Sequence, residues 1–161
     1  MRILAVGSDA EGVARELFGE GEIDVTPLLP GKKRTDYDAL LSYMVLPKVS
    51  YREADSTMRA WLEALKPGGE IVIFVPSLEW AAKQVFTTPR SPAFLPHLFG
   101  VQDKTSECYI SGYTLLDLRG VCSRAGLAVT HASTGEYTIN EIICECHIVR
   151  GVKKSTGYAS L

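Results

Sequence analysis

The densest group of reactive side chains in this sequence is Cys144-Glu145-Cys146-His147, where two thiols and an imidazole could together bind a metal ion. None of the 4 cysteines forms the C-x-x-C pair that marks common zinc sites. The group lies in the apolar segment 141–149, which is typical of a β-strand, and successive residues of a strand point to opposite faces. Cys144 and Cys146 therefore share a face, while His147 points away. This geometry favours cysteines that pack in a core, so we expect no metal site.

A glycine turn after the first apolar run is a second place where chemistry could occur. Gly7 ends the run 2–6 and Gly12 follows shortly afterwards, so the backbone between them could approach a ligand closely. A phosphate-binding P-loop is excluded, because Gly12 is followed by Val-Ala rather than by Lys-Ser. A dinucleotide-binding turn requires a further glycine where this chain has Asp9. The turn therefore indicates a tight connection after a buried strand, whatever ligand it approaches.

Length and composition restrict the classes of protein to which this chain can belong. A chain of 161 residues with 46% hydrophobic and 22% charged residues can bury one core, which predicts a single domain. Lys and Arg number 17 and Asp and Glu 19, so the net charge of -2 argues against nucleic acid as a partner. No apolar stretch reaches the roughly 20 residues that span a bilayer, and the first residues lack a signal-peptide pattern. Together with the few cysteines, these features predict a cytoplasmic protein without a membrane partner.

Strand-like and helix-like segments alternate along the chain. Apolar runs predict strands, and apolar residues at helical spacing predict helices. The strands are expected at 2–7, 22–26, 37–46, 70–76, 127–132 and 141–149, and the helices at 13–18, 51–65, 77–86 and 114–126. This alternation predicts an α/β sandwich with a mostly parallel sheet of about six strands and a C-terminal antiparallel hairpin. Ligands of such sheets bind beyond the carboxyl ends of the strands, where the strand order reverses.

Two of the predicted helices begin with the pattern of a capping box, in which a Ser or Thr is followed three residues later by an acidic residue. The first pair is Ser50 and Glu53, and the second is Thr114 and Asp117. In each pair we expect the hydroxyl to accept a hydrogen bond from a backbone N–H in the first turn of the helix.

A long segment before the last predicted helix, at about 87–112, is expected to be a lid or insert. Its three prolines disfavour both helix and central strand, although it also holds several large apolar residues. A loop of this length within a domain is usually functional. His97 and Tyr109 in this segment either contact a bound ligand or lie at the surface. The lid belongs to a domain at 1–150, and a flexible tail is expected at 151–161.

Several segments resemble, in order, one family of enzymes. Leu65-Lys66-Pro67-Gly68-Gly69 followed by an apolar strand looks like the L-K-P-G-G turn of class I S-adenosylmethionine-dependent methyltransferases. Residues 37–46 are similar to that family's F-D-x-h-x-S…h-L strand, where h is apolar, and Asp24-Val25-Thr26-Pro27 resembles its D-I-S-P. The G-x-Q, G-[FYW]-[ST] and A-G-[FL] patterns of a small bacterial subgroup are resembled by 98–102, 111–114 and 124–127. The resemblance spans about residues 2–150.

This resemblance implies a Rossmann-like three-layer methyltransferase domain, the cofactor S-adenosylmethionine, and a small-molecule or saccharide acceptor. Asp24 holds the position at which the family's carboxylate accepts the ribose hydroxyls, and the helix start after Gly7 offers N–H groups to a carboxylate. The implied cofactor-binding residues are Gly7, Ser8, Asp9, Asp24, Val25, Ser42 and Tyr43. The implied acceptor residues are His97, Gln102 and Tyr109, and no residue is assigned as catalytic.

The chain departs from the family pattern at the cofactor site. Ala5 stands where the family has an acidic residue, and Asp9 stands where it has a second glycine. Only nine residues lie between Pro27 and Tyr37, too few for the usual third strand and its helix, so we expect both to be missing. The shortened sheet edge leaves room for a homodimer. Two functions remain open: a methyltransferase, or an inactive member of the fold that serves as a binding or interaction module.

Overall fold

The computed structural model describes residues 1–28, 35–87, 95–100, 108–139 and 142–154. The strands are β1 (Arg2–Val6), β2 (Glu22–Thr26), β3 (Tyr37–Tyr43), β4 (Leu65–Pro76), β5 (Leu127–Ile139) and β6 (Ile142–Lys153). The helices are α1 (Ala10–Phe18), α2 (Tyr51–Ala64), α3 (Leu78–Thr87), α4 (Leu95–Phe99) and α5 (Leu115–Arg124), and a 3-10 turn covers Leu46–Lys48. Within these ranges, no helix is long and apolar enough to cross a membrane.

The strands form one sheet of 6 in the order β2-β1-β3-β4-β6-β5. β1 pairs in parallel with both β2 and β3, and β3 pairs in parallel with β4. β6 lies between β4 and β5 and is antiparallel to both. The predicted mostly parallel sheet with a C-terminal antiparallel hairpin is therefore confirmed. Because β1 has β2 on one side and β3 on the other, the strand order reverses at β1. Ligands of such sheets bind beyond the carboxyl ends of the strands at this reversal, a region that we call the crevice.

Helices cover both faces of the sheet and bury an apolar cluster on each. On the face of α2 and α5, Leu4 packs with Met58 and Trp61, and all three are at most 1% exposed. On the face of α1, Ile3 and Ala5 are buried in a second, smaller cluster. Successive residues of β1 enter opposite clusters, as the alternation of side chains along a strand requires. The Rossmann-like three-layer arrangement is confirmed.

β4 begins at Leu65, well before the predicted strand at 70–76. Leu65 pairs with Tyr37, and an irregularity in register follows. Gly68, in this irregular part, has a φ of 77°, which glycine adopts without strain. The glycine-rich turn that the sequence indicates therefore lies inside the start of a strand.

β2 lies at one edge of the sheet, and β3 is the next element along the chain among the described residues. This agrees with the prediction that the usual third strand and its helix are missing, although residues 29–34 of the interval lie outside the described residues. At the amino ends of the strands, Arg2 pairs with Glu22 at 3.1 Å and with Asp36. These charges lie at the opposite end of the sheet from the crevice.

The first strand of the C-terminal hairpin is longer than predicted. β5 continues to Ile139, whereas the sequence predicts a strand at 127–132 followed by a polar turn. The polar residues 133–138 instead pair with β6. An antiparallel strand with one solvated face accepts polar residues at alternate positions, so polarity alone did not mark a turn.

The second strand of the hairpin is also longer, so the predicted tail at 151–161 begins too early. β6 continues to Lys153, and Gly151 pairs within it. A Cβ at Gly151 would lie 2.6 Å from Leu127 Cγ, so the glycine permits the close contact with β5. Residues 155–161 of the predicted tail lie outside the described residues.

The two predicted capping boxes differ in the structure. At the start of α5, Thr114 Oγ1 accepts from Asp117 N at 3.1 Å and Thr114 N donates to Asp117 Oδ2 at 3.3 Å, so this box is confirmed. At the start of α2, the Ser50 hydroxyl donates to the Glu53 carboxylate at 2.8 Å and makes no cap hydrogen bond. The prediction for Ser50 is wrong, because a neighbouring carboxylate takes its hydroxyl away from the helix N–H groups.

We expect Thr114→Ala to lower the free energy of unfolding by about 1 kcal/mol, because it leaves a first-turn N–H of α5 without its acceptor. Ser50→Ala, which removes the same kind of group at the start of α2, is the matched control and should cost less than half as much. Midpoints of urea denaturation at an unchanged m-value measure both. Equal losses in the two variants would contradict this account of the caps.

Candidate functional site

The carboxyl ends of β1, β2 and β3 meet at Gly7. Gly7 N donates to the carbonyl oxygen of Thr26, at the end of β2, over 2.9 Å. Gly7 has a φ of 124°, and a Cβ there would lie 2.7 Å from the carbonyl oxygen of Tyr43, at the end of β3. A side chain would therefore strain the backbone and collide with β3. The fold alone therefore requires a glycine at this position, whether or not a ligand binds beside it.

Ser8 and Asp9 connect Gly7 to α1, and both are exposed. Asp9 is the N-cap residue of α1, but its side chain makes no cap hydrogen bond, and Ser8 Oγ lies 3.4 Å from Asp9 Oδ2. Glu11 adds a second carboxylate in the first turn, and it accepts from the Arg15 guanidinium over 2.8 Å. The exposed Asp9 carboxylate, at the positive end of the helix, favours a cationic ligand group over an anionic one. This differs from the sequence expectation, in which N–H groups at this point receive a carboxylate.

Asp24 lies within β2, opposite Leu4 of β1. The hydroxyl of the buried Tyr37 donates to Asp24 Oδ2 over 2.7 Å, which fixes the orientation of the carboxylate. Val25, the next predicted site residue, is 50% exposed. Sequence reasoning missed the contribution of Tyr37. The available signal was the Tyr in place of Phe in the F-D pattern, because only Tyr brings a hydroxyl to this position.

Ser42 and Tyr43 end β3 and point to opposite faces of the sheet. Ser42 is fully buried, and its hydroxyl has no hydrogen-bond partner among the described residues. Tyr43 lies on the face of α1 against Phe74, with ring centroids 5.6 Å apart. Burial raises the pKa of Tyr43, and Cys146 and Asp9 add to the shift. Tyr43 and Asp9 therefore face one region beside α1, whereas the Ser42 side chain lies below the surface of the crevice.

A cavity of about 240 Å³ lies beyond the carboxyl end of β4, under the predicted lid. Its lining residues are Pro47, Pro76, Ser77, Leu78, His97, Leu98, Phe99, Tyr109, Ile110, Ser111 and Gly112. The lid contains the short helix α4, although the prolines of this segment predict no helix. Pro96 is compatible with α4 because it lies in the first turn, where no backbone N–H is required for the helical hydrogen bonds. His97 and Tyr109, two predicted acceptor residues, lie in the same wall, and Gln102 lies outside the described residues.

Hydrogen bonds attach the second half of the lid to the segment that follows β3. Ile110 N and Ser111 N both donate to the carbonyl oxygen of Pro47, over 2.8 and 3.0 Å. The Ser111 hydroxyl donates to the carbonyl oxygen of Val49 over 2.7 Å. This half of the lid is therefore fixed to the connection between β3 and α2.

His97 fixes α4 through both of its ring nitrogens. Its Nε2 donates to the carbonyl oxygen of Ser77 over 2.9 Å, since a carbonyl oxygen can only accept. Its Nδ1 accepts from the Tyr137 hydroxyl over 2.7 Å. The ring lies 4.6 Å from that of Trp80, centroid to centroid, and the residue is 1% exposed. The alternative of surface placement is therefore wrong, and His97 positions the lid rather than offering a free base.

The surroundings of His97 keep it neutral. Burial lowers the pKa of His97 below its ordinary value; the hydrogen bond to Ser77 opposes this shift, and His147 adds to it. Burial also raises the pKa of Tyr137. Both partners of this hydrogen bond are therefore uncharged near neutral pH.

Glu79 joins α3 to β6 and to the start of α5. One carboxylate oxygen accepts from His147 Nε2 over 2.6 Å, and the other accepts from Leu115 N over 3.1 Å. Burial alone raises the pKa of Glu79, but hydrogen bonds from His147, from its own N–H and from Leu115 hold that pKa below its usual value. Sequence reasoning missed this pair, because its members lie 68 residues apart and match no local pattern.

The cysteines of the first motif lie in the interior, as predicted. Cys144 is fully buried and Cys146 is 1% exposed. Burial raises the pKa of both thiols, that of Cys146 to about 11. In the part of the chain that the structure describes, no three His, Cys, Asp or Glu side chains are grouped so that they could hold a metal ion.

No protein-family model and no curated protein matches this chain. Solved structures do match. An S-adenosylmethionine-dependent methyltransferase from Methanosarcina mazei is 14% identical, with a TM-score of 0.60 over 95% of this chain and 81% of that one. A protein from Bacillus halodurans, provisionally described as a methyltransferase, is 10% identical, with a TM-score of 0.58 over 96% of this chain and 92% of that one.

A third similar structure is the 1,6-didemethyltoxoflavin N1-methyltransferase of Burkholderia thailandensis, which holds 1,6-didemethyltoxoflavin and S-adenosylhomocysteine. It is 10% identical, with a TM-score of 0.55 over 94% of this chain and 61% of that one. At such identities the comparisons define the fold. The chain has the class I S-adenosylmethionine-dependent methyltransferase fold, which confirms at the level of structure what its motifs predict.

The wild-type protein should lose stability as the pH falls below about 6.5, the ordinary pKa of histidine. The reason is that burial makes protonation of His97 less favourable in the folded protein than in the unfolded chain. His97→Gln keeps a donor for Ser77 but cannot titrate, so its melting temperature should fall less between pH 7.5 and pH 5.5. His131→Gln, at an exposed histidine of β5, is the control and should fall as far as the wild type. Equal falls in all three proteins would contradict this role of His97.

Proposed function

We propose that this protein is an S-adenosylmethionine-dependent methyltransferase that acts on a small-molecule acceptor. The observation that carries the proposal is the position of the lid cavity. Its wall includes Pro47, which follows β3, and Pro76, which ends β4, so the cavity lies at the same edge of the sheet as Gly7, where the strand order reverses. An acceptor in this cavity would lie beside a cofactor at that reversal, which suits a transfer in which alignment of two reactants is the main requirement.

The side chains at the crevice fit the cofactor in charge and hydrogen-bonding capacity. Asp24, oriented by Tyr37, offers a carboxylate that suits the two ribose hydroxyls. Asp9 offers a carboxylate that suits the ammonium group of the methionine portion, although the family's own acidic position holds Ala5. S-adenosylmethionine supplies, when bound, a methyl group that its sulfonium already activates. The residues of this chain have then to orient the acceptor and to exclude water, which is the role we assign to the lid.

The small-molecule acceptor has support from one similar structure. The methyltransferase from Burkholderia thailandensis binds 1,6-didemethyltoxoflavin together with S-adenosylhomocysteine. In the present protein, the lid residues His97 and Tyr109 lie in the wall of the lid cavity, and we assign the acceptor to that cavity.

A second function, that of a binding module without catalysis, is favoured by one observation at the crevice. The space that the missing side chain of Gly7 leaves is occupied by the carbonyl oxygen of Tyr43. The first turn of α1 also carries carboxylates where the family's loop is rich in glycine. A chain that had kept the fold and lost the cofactor would have these features.

Titration calorimetry with S-adenosylmethionine and S-adenosylhomocysteine tests the cofactor assignment. We expect both to bind, and Asp24→Ala to weaken binding about tenfold, because it removes hydrogen bonds to a charged group. Tyr37→Phe keeps the carboxylate but loosens its orientation, so it should weaken binding about threefold. Glu20→Ala, which removes an exposed carboxylate just before β2, is the control and should leave the affinity unchanged.

Two outcomes would count against this account in different ways. Absence of heat with the wild-type protein at millimolar ligand would reject the methyltransferase and favour the binding module. Unchanged affinity in a folded Asp24→Ala variant would reject the ribose assignment alone.

A further inference from the structure

The wall of the lid cavity is apolar. Pro47 and Pro76 contribute to it from the strand ends, and Leu98, Phe99 and Ile110 contribute from the lid. Among its described residues there is no Lys, Arg, Asp or Glu. A charge carried from water to this described part of the wall finds no opposite charge there, and its transfer is disfavoured. This part of the wall therefore favours neutral ligands over charged ones.

Three of the four polar side chains among the described lining residues are hydrogen-bonded within the protein. His97 uses both ring nitrogens, one toward Ser77 and one toward Tyr137. The Ser111 hydroxyl donates to the carbonyl oxygen of Val49, and the Ser77 hydroxyl accepts from a backbone N–H in the first turn of α3. The hydrogen bonds that these side chains can still make fall short of the dense set that a saccharide requires.

Apolar side chains also surround the opening of the cavity. Leu78, Phe99 and Ile110 all line it, and they are 36%, 48% and 64% exposed. Apolar side chains that are exposed together around a recess mark a binding site, whereas single exposed ones do not. A flat apolar ligand would cover these three side chains.

The cavity is large enough to hold an aromatic ring. Its volume is about 240 Å³. An apolar cavity of about 150 Å³ accommodates benzene, so this one has room for one ring or two fused rings.

We propose that the lid cavity binds a neutral, apolar ring compound, and that this is the class of acceptor on which the protein acts. The second half of this statement rests on the methyltransferase function proposed above, whereas binding to the cavity can be measured without the cofactor. The proposal gives the acceptor a chemical class and argues against the saccharide that the sequence left open.

Calorimetric titrations of the full chain at pH 7 with four probes test the ligand class. The probes are 2-naphthol, which is neutral; 2-naphthoate, which is anionic; 2-naphthylmethylammonium, which is cationic; and glucose. We expect 2-naphthol to bind at least about tenfold more tightly than either charged analogue, and glucose to give no signal. Absence of 2-naphthol binding, or equal binding of a charged analogue or of glucose, overturns the proposal.

Two matched variants locate the binding. Ile110→Asp places a carboxylate at the opening of the cavity, at a residue exposed enough to accept it, and should weaken 2-naphthol binding at least about fivefold. Ile143→Asp makes the same change at a residue of β6 that is 63% exposed and does not line the cavity, and should change the affinity less than about twofold. Equal effects of the two variants show that the probe binds elsewhere, which overturns the proposal.

The two proposals fail in distinguishable ways. Binding of S-adenosylmethionine without selective binding of 2-naphthol rejects the ligand class and keeps the methyltransferase. Selective binding of 2-naphthol without binding of S-adenosylmethionine supports the ligand class and overturns its role as an acceptor.

Discussion

The close approach of three strand ends at Gly7 is the contact on which the rest of this structure depends. β1 can turn into α1 there because Gly7 has a positive φ and no side chain, and the space beside it is taken by the carbonyl oxygen of Tyr43. The hydrogen bond from Gly7 to Thr26 joins β2 to the same point. Any side chain larger than hydrogen would push β3 away from β1. The arrangement of the strand ends and the segment that leads from β3 to the lid both depend on this packing.

The lid is held by a different kind of interaction, in which neutral polar groups are paired inside an apolar region. His97 connects α4 to the ends of β4 and β5 through one carbonyl oxygen and one hydroxyl. Burial keeps the imidazole neutral, so the hydrogen bonds need no charge to balance them. A second pair, Glu79 of α3 and His147 of β6, connects these two elements through a contact of 2.6 Å between the half-exposed carboxylate and the buried imidazole. Of these groups, His97 lines the cavity, and both of its hydrogen bonds are made within the protein; the lid residues Leu98, Phe99 and Ile110 make their part of the wall apolar.

Much of the fold could be predicted from the sequence, because the signals are local. The capping box at Thr114 needs only residues in one turn, and it is present. The same pattern at Ser50 failed, because the spacing does not say whether the hydroxyl meets a backbone N–H or the Glu53 carboxylate. The ends of β5 and β6 were misplaced for a related reason. Cross-strand pairing, rather than local hydrophobicity, decides how far such strands continue.

By itself, the sequence determined the order of the helices and strands, the α/β class, the short interval between β2 and β3, and the motifs that resemble the methyltransferases. Periodicity, turn residues and segment length carry this information. Only the tertiary structure decided which side chains meet. The Tyr37 hydroxyl reaches Asp24 across 13 residues, and His97 lies 20 residues from Ser77 and 40 from Tyr137. Such partners are brought together by the order of strands in the sheet, and no spacing along the chain encodes that order directly. The site therefore follows from long-range pairing, while the elements that carry it follow from local chemistry.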